Sequence, residues 1–352
     1  MKVLEALNRG LRAAMAADDR VHFLGEDILD PYGGAFKLAQ GLSTEFPGRV
    51  HTTPVSEAGI VGAGIGMALR GMLPVVEIMF GDFITLATDQ LVNHAGKLRW
   101  MSGDRVRVPL VVRTPMGGRR GYGPTHSQTL DRLFLGVPGL RVVAPSALDD
   151  PGGLLERAIL ADEDPVLFLE HKLLYGLPVQ PLADSSEFEM RSSGGRYPSY
   201  QLRVRGAPPP RVTLVSYGYM ATLAQQAVKR LAYEQECFAE LIVLSQLSPF
   251  ALEAVDCSAA ATGHLLTVEE GVRTHGWGAE VLAAAAERAP AALKVGRVAA
   301  LDLPIPAAGP LEEAVLPSIE DIITAALALV GGRSPLGDGK GGQSVERRRS
   351  NA

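Results

Sequence analysis

Cysteine is nearly absent: Cys237 and Cys257 are the only two in 352 residues, and their spacing suits no metal site. A disulfide framework is thereby excluded, and a reducing compartment is expected. A basic excess is missing too. Lys and Arg total 34 against 39 Asp and Glu, a formal net charge of −5, which leaves no footprint for nucleic acid. No uninterrupted apolar run is long enough to span a bilayer as a helix. The amino-terminal stretch sets Leu4, Leu7, Leu11 and Met15 on one helical face, carries acids, and has no apolar core. It reads as neither a secretory signal nor a transit peptide. These absences point to a soluble, cytoplasmic protein.

What is present is an alternation of short apolar strands with helical stretches, the pattern of a parallel sheet with crossover helices. Strands are expected at residues 21–25, 50–53, 73–80, 108–113, 140–144 and 165–169, with helices at 57–69, 84–99 and 151–161 between them. The strands lack strict alternation, as expected when both faces of a sheet are covered. From about Gly176 to Pro210 the pattern fails among Ser185-Ser186, Ser192-Ser193-Gly194-Gly195 and Pro208-Pro209-Pro210. A second alternating unit follows: strands at 212–217, 239–244, 265–268 and 295–301, and helices at 221–233, 278–288 and 319–330. The expected division is a first domain over 1–176, a linker over 177–210, a second domain over 211–331 and a disordered, Gly-rich tail over 332–352. The fold class is α/β, with a mainly parallel sheet flanked by helices in each domain.

Gly62-Ala63-Gly64-Ile65-Gly66 looks like a dinucleotide fingerprint, but the third glycine would fall at Met67. The run also lies inside a helical pattern instead of following a strand. Small residues there are expected to let a helix pack closely.

Thr53-Pro54-Val55-Ser56-Glu57-Ala58-Gly59-Ile60 places an acid where a strand gives way to an apolar helix. A carboxylate in a first helical turn is favoured by the helix dipole, so a capping acid is one reading. A catalytic carboxylate at the carboxyl end of a parallel strand is the other. Spacing alone leaves both open.

The wider sequence resembles the β subunits of pyruvate, branched-chain 2-oxoacid and acetoin dehydrogenases, of the transketolase-like superfamily. In the first domain the resemblance rests on Gly25-Glu26-Asp27, Gly33-Gly34-Ala35-Phe36, Val55-Ser56-Glu57 and Pro74-Val75-Val76-Glu77-Ile78-Met79-Phe80. It continues through Gly81-Asp82-Phe83, Asp89-Gln90-Leu91-Val92-Asn93-His94, Thr125-His126-Ser127-Gln128 and Glu170-His171-Lys172-Leu173-Leu174-Tyr175. Val212-Thr213-Leu214-Val215-Ser216-Tyr217-Gly218, Leu247-Ser248-Pro249 and Thr267-Val268-Glu269-Glu270 extend it to about residue 330. Residues 116–124 are less typical of that family. The resemblance implies a transketolase-like pyrimidine-binding domain followed by a transketolase C-terminal-like domain.

It also implies roles. Glu57 matches the glutamate that hydrogen-bonds N1′ of the aminopyrimidine of thiamine diphosphate, where its proton favours the imino tautomer that deprotonates thiazolium C2. Such a role needs an apolar pocket, because desolvation keeps a carboxyl protonated. Met79 and Phe83 match residues that line the aminopyrimidine, with Phe83 giving an aromatic face, and Val55 is expected to touch the ring. Their ordinary alternative is core at a strand end. His126 matches the histidine thought to protonate a lipoyl sulfur, a task suited to imidazole; a surface histidine is the plain alternative. His94, Asp89 and Glu77 match family positions that packing explains equally, and His275 reads as structural. Leu110, Ala158, Ile159, Asp162 and Asp164 fall where some relatives bind potassium, although this chain carries one extra residue there.

Gly337-Asp338-Gly339 opens like the magnesium–diphosphate motif of thiamine enzymes, but the Asn that completes it would lie beyond Ala352. The chain therefore offers the pyrimidine half of a cofactor site without a phosphate cradle. The resemblance assigns magnesium and diphosphate to an α subunit, in an α2β2 assembly that decarboxylates a 2-oxoacid and acylates a lipoyl group on an acyltransferase component. A transketolase-like enzyme with other substrates and a non-catalytic assembly subunit are the rival readings. The missing diphosphate domain weighs against the first, and the retained Glu57 and His126 against the second.

Overall fold

Runs of Val, Ile and Leu that are buried on both faces assemble into two sheets. The computed structural model describes residues 1–289 and 292–331, and the chain divides into two compact units. The first holds Met1–Met116, Leu133–Gln180 and Gln246–Pro249; the second holds Gly117–Arg132, Pro181–Ser245 and the described residues from Phe250 to Gly331.

In the first unit β1 (Val21–Gly25), β2 (Val50–Thr52), β3 (Leu73–Glu77), β4 (Val111–Met116), β5 (Arg141–Val143) and β6 (Val166–His171) all pair in parallel. In the second, β7 (Phe188–Ser192) and β8 (Ser199–Val204) form an antiparallel pair on β10 (Ala239–Leu244), which lies parallel to β9 (Val212–Ser216). The next strand, β11 (Gln246–Ser248), belongs to the first sheet as its antiparallel edge beside β5. The second sheet is completed by β12 (His264–Val272) and β13 (Lys294–Ala300), both parallel. The orders are β11-β5-β6-β4-β3-β1-β2 and β13-β12-β9-β10-β8-β7.

Helix Glu57–Leu69 begins after β2 and packs on β3. A Cβ at Gly64 would meet Val76 at 2.9 Å and Leu110 at 3.0 Å, so this glycine lets the helix pack closely, while Gly62 and Gly66 have room for a side chain; the run lies within the helix and is no nucleotide loop. At the amino terminus, helix Val3–Ala17 buries Val3, Leu7, Leu11 and Met15 and packs on helix Pro151–Ala161.

Two expectations are corrected. Residues 177–210 are no structureless linker: they hold the β7–β8 pair, which joins the second unit at the edge of its sheet. Tyr200, Leu202 and Val204 face the core there, while Glu189, Arg191, Gln201 and Arg203 lie on a partly exposed face and dilute the apolar signal. The helix expected over 84–99 is three pieces, a 3-10 segment Gly81–Ala87, a π-helical turn Gln90–Ala95 and an α-helix Gly96–Met101. The Thr85 and Thr88 hydroxyls bond back to the carbonyls of Asp82 and Thr85, which competes with α-helical bonding. Helices Glu253–Thr262 and Gly309–Val315 were not expected. The tail read as disordered, with its Gly337-Asp338-Gly339, lies outside the described residues.

Candidate active site

Parallel strands of the first sheet deliver their carboxyl ends to one edge, the place where open α/β sheets put their sites. Glu26 follows β1 directly, Glu57 starts the helix after β2, and Met79 follows β3. Glu57 is only 5% exposed, yet among the described residues its carboxylate makes no hydrogen bond or ion pair. Glu26 is likewise buried; burial first, and then the charge of Glu57, push its carboxyl above the ordinary range. Two acids thus share a buried corner with no cation paired to Glu57, an arrangement that structural acids rarely adopt.

The segment that follows β3 carries aromatic groups. Phe83 and Met79 are both half-buried, and the Phe83 ring stands edge-to-face on Phe80 at 5.8 Å. Phe80 meets Phe36 at 5.4 Å, and Phe36 meets Tyr175 at 5.6 Å. Helix Glu57–Leu69 packs against the segment that carries Phe83. Val55, by contrast, is 80% exposed, so it lines no pocket of this chain taken alone.

Beneath this edge sits a buried ionic network. Arg113 on β4 pairs with Glu77 directly across on β3, and its Nε donates to Glu170 at 2.7 Å. Its Nη2 also reaches the Tyr175 hydroxyl at 2.9 Å. Burial alone would lower the guanidinium's pKa, but the charges of Glu170 and Glu77 outweigh it and hold Arg113 well above its usual value. Burial raises the Glu77 carboxyl, and the Arg113 charge opposes that rise. Glu77 and Glu170 lie in family-like motifs, but their shared partner is invisible in spacing alone. Glu26 carries no signal of its burial beyond the match at Gly25-Glu26-Asp27.

The five residues expected around potassium are buried or partly buried. Asp162 faces the Arg141 guanidinium at 3.4 Å, and Asp164 is bonded to Arg99 at 2.8 Å. The Leu110 carbonyl accepts from the Val166 amide. Both acids are thus engaged by arginines. No group of three or more His, Cys, Asp or Glu among the described residues is arranged to hold a metal.

His126 lies in the second unit, on a loop closed at its base by the Gly117 amide donating to the Gln128 carbonyl at 3.2 Å. Its ring is half-exposed, and Nδ1 lies 3.0 Å from the Thr125 hydroxyl. Farther along, buried Asp131 accepts from the Tyr217 hydroxyl at 2.6 Å. Among the described residues its other oxygen has no partner, and neither does Glu269 Oε2. Burial, and then the Asp131 charge, push the Glu269 carboxyl up to about 8.

Comparison with known proteins agrees with both sheets. Residues 1–178 match the family model of the transketolase pyrimidine binding domain, and residues 203–322 that of the transketolase C-terminal domain. The pyruvate dehydrogenase E1 component subunit beta-1 of Arabidopsis thaliana is 39% identical, over 92% of this chain and 88% of its own length. The acetoin:2,6-dichlorophenolindophenol oxidoreductase subunit beta of Cupriavidus necator is 37% identical, over 91% and 95%. A solved split-gene transketolase, an inactive beta4 tetramer, superposes with a TM-score of 0.71 at 18% identity, over 95% of this chain and 99% of that one, a likeness of fold alone. The chain belongs to the family of the 2-oxoacid dehydrogenase E1 β subunits, built from a transketolase pyrimidine-binding domain and a transketolase C-terminal domain.

Proposed function

We propose that this chain works with an α subunit, in an α2β2 assembly, to decarboxylate a 2-oxoacid oxidatively and to acylate a lipoyl group on an acyltransferase component. The chain holds the aminopyrimidine half of thiamine diphosphate, while the α subunit holds the diphosphate and magnesium. When bound, the cofactor supplies the electron sink for cleaving the carboxylate from the 2-oxoacid. Glu57 holds a proton at ring atom N1′. Phe83 and Met79 bound the ring and keep water from it, and Val55 completes the contact once the partner covers it. In the second half-reaction His126 gives a proton to the departing lipoyl sulfur.

The observation that carries this reading is the Glu57 carboxylate, buried and without a hydrogen bond beside Glu26 and the Phe83 segment. An acid buried at a helix start for structure alone is expected to carry a hydrogen bond or a paired cation, and among the described residues Glu57 has neither. No Gly-Asp-Gly motif lies among the described residues either. Calorimetric titration of the full chain with thiamine diphosphate and magnesium tests the division of the cofactor. Weak binding by the chain alone and tight binding after addition of the α subunit are expected. Tight stoichiometric binding without a partner would overturn the divided site.

A further inference from the structure

The loop that carries His126 has a backbone that few sequences adopt unaided. Gly117, Arg119, Gly121 and Gly123 all have positive φ, and Arg119, at +69°, bears a side chain in that region. A Cβ at Gly118 would lie 2.7 Å from Leu316 and 3.2 Å from Glu312 Oε1, so the arm is also pressed close to its neighbours. Alternation of this kind turns successive N–H groups toward one side, the geometry that elsewhere receives an anion.

Here the anions are the chain's own. Glu270 on β12 and Glu312 on helix Gly309–Val315 are 3% and 4% exposed. Glu270 accepts from the Gly118 amide at 2.8 Å and from Arg119 Nε at 3.1 Å. Glu312 accepts from the Arg119 amide at 2.7 Å and from the Gly121 amide at 3.1 Å. Arg119 Nη2 then ties the arm to the Pro317 carbonyl at 2.6 Å. Three backbone donors and one guanidinium of the arm are therefore spent on two buried carboxylates. Beyond the arm, the chain turns at Gly123, whose carbonyl accepts from the His126 amide at 3.3 Å.

We propose that Glu270 and Glu312 are positioning residues for His126: by occupying the loop's amide groups they fix the left-handed arm and with it the imidazole. This role rests on the reading of His126 as the donor to the lipoyl sulfur. Loop order and the lipoyl half-reaction should then fail together when either carboxylate is removed.

The test uses the full chain assembled with its α subunit, as Glu270→Ala, Glu312→Ala, Glu270→Gln and Glu312→Gln. Trypsin nicking after Arg119 and Arg120, followed by mass spectrometry, reads loop order without reference to activity. The Ala variants are expected to be nicked about tenfold faster than wild type, as local opening becomes easier. They should also lose about 10- to 100-fold more rate with a lipoyl domain than with an artificial electron acceptor. The Gln variants should restore most of both, since an amide oxygen still accepts from a backbone N–H; they also serve if an Ala variant fails to fold. Combining Glu312→Ala with His126→Ala should add little to the loss of His126→Ala alone. Wild-type nicking rates in the Ala variants, or losses that multiply in the double variant, would overturn the proposal. If His126→Ala leaves the lipoyl half-reaction intact, the role of His126 falls, while the nicking rates still decide whether the carboxylates hold the loop.

Discussion

Glu26 and Glu57 are both buried after the adjacent parallel strands β1 and β2, and burial first, then the Glu57 charge, raises the Glu26 carboxyl. Like charges so placed act as a unit. Glu26→Gln keeps the shape and removes one charge, so it should lower the activity of the assembled complex less than Glu57→Gln does. The double variant should lose less than the product of the two single losses, a coupling of about 0.5–3 kcal/mol. Rates in all four proteins measure it; losses that multiply would show that the two acids act separately.

Among the described residues, Arg113 is the cation that Glu77 and Glu170 share in the buried Glu77–Arg113–Glu170–Tyr175 network. Arg113→Met fits the volume but strands two carboxylates away from water. Urea unfolding should show a loss of about 3–5 kcal/mol, the range for breaking a buried ion pair on one side. A loss under about 1 kcal/mol would mean that water or a rearrangement compensates, contrary to the packing described.

How much of the molecule was legible in advance depended on the range of each interaction. Strand β1 and helices Glu57–Leu69 and Ile319–Val330 were readable because their apolar patterns are local. The β7–β8 pair was not, since Glu189, Arg191, Gln201 and Arg203 interrupt its apolar residues and Gly194-Gly195 suggested a flexible link. Glu57 stood out from its place between strand and helix. The burial of Glu26 did not, nor did the pairing of Arg113 with Glu170, because those partners meet only once strands far apart in sequence are neighbours in the sheet. The same holds for Glu270 and Glu312, which lie 151 to 193 residues from the backbone amides and guanidinium they receive.

Glu269 gives a pH dependence of definite sign. Its folded carboxyl is raised from the ordinary 4.5 to about 8, so the folded chain keeps a proton that the unfolded chain releases. The stabilisation is complete below about pH 4.5 and is lost as pH rises toward 8. Each pH unit that separates the folded from the unfolded titration is worth about 1.4 kcal/mol, so the change is on the order of a few kcal/mol, shared with Asp131. Glu269→Gln can still accept from the Gly278 amide, now bonded to Oε1 at 2.9 Å. Its melting temperature should match wild type near pH 5 and exceed it at pH 9. An equal difference at both pH values would mean that Glu269 stays ionised throughout.

The proposed function depends most on the role it gives Glu57 at N1′ of the aminopyrimidine. Glu57→Gln is nearly isosteric, so the chain should fold and assemble with its α subunit as before. An amide can bond to N1′ of the aminopyrimidine but cannot give it a proton, and activity should fall roughly 100-fold or more, the lower range for a positioned acid–base group. The decisive measurement is exchange of the thiazolium C2 proton in the assembled complex, followed by NMR after acid quench. Exchange in the Gln variant is expected to slow by a similar factor. Exchange at the wild-type rate in a correctly assembled complex would reduce Glu57 to a helix-capping acid and contradict the function proposed for the site.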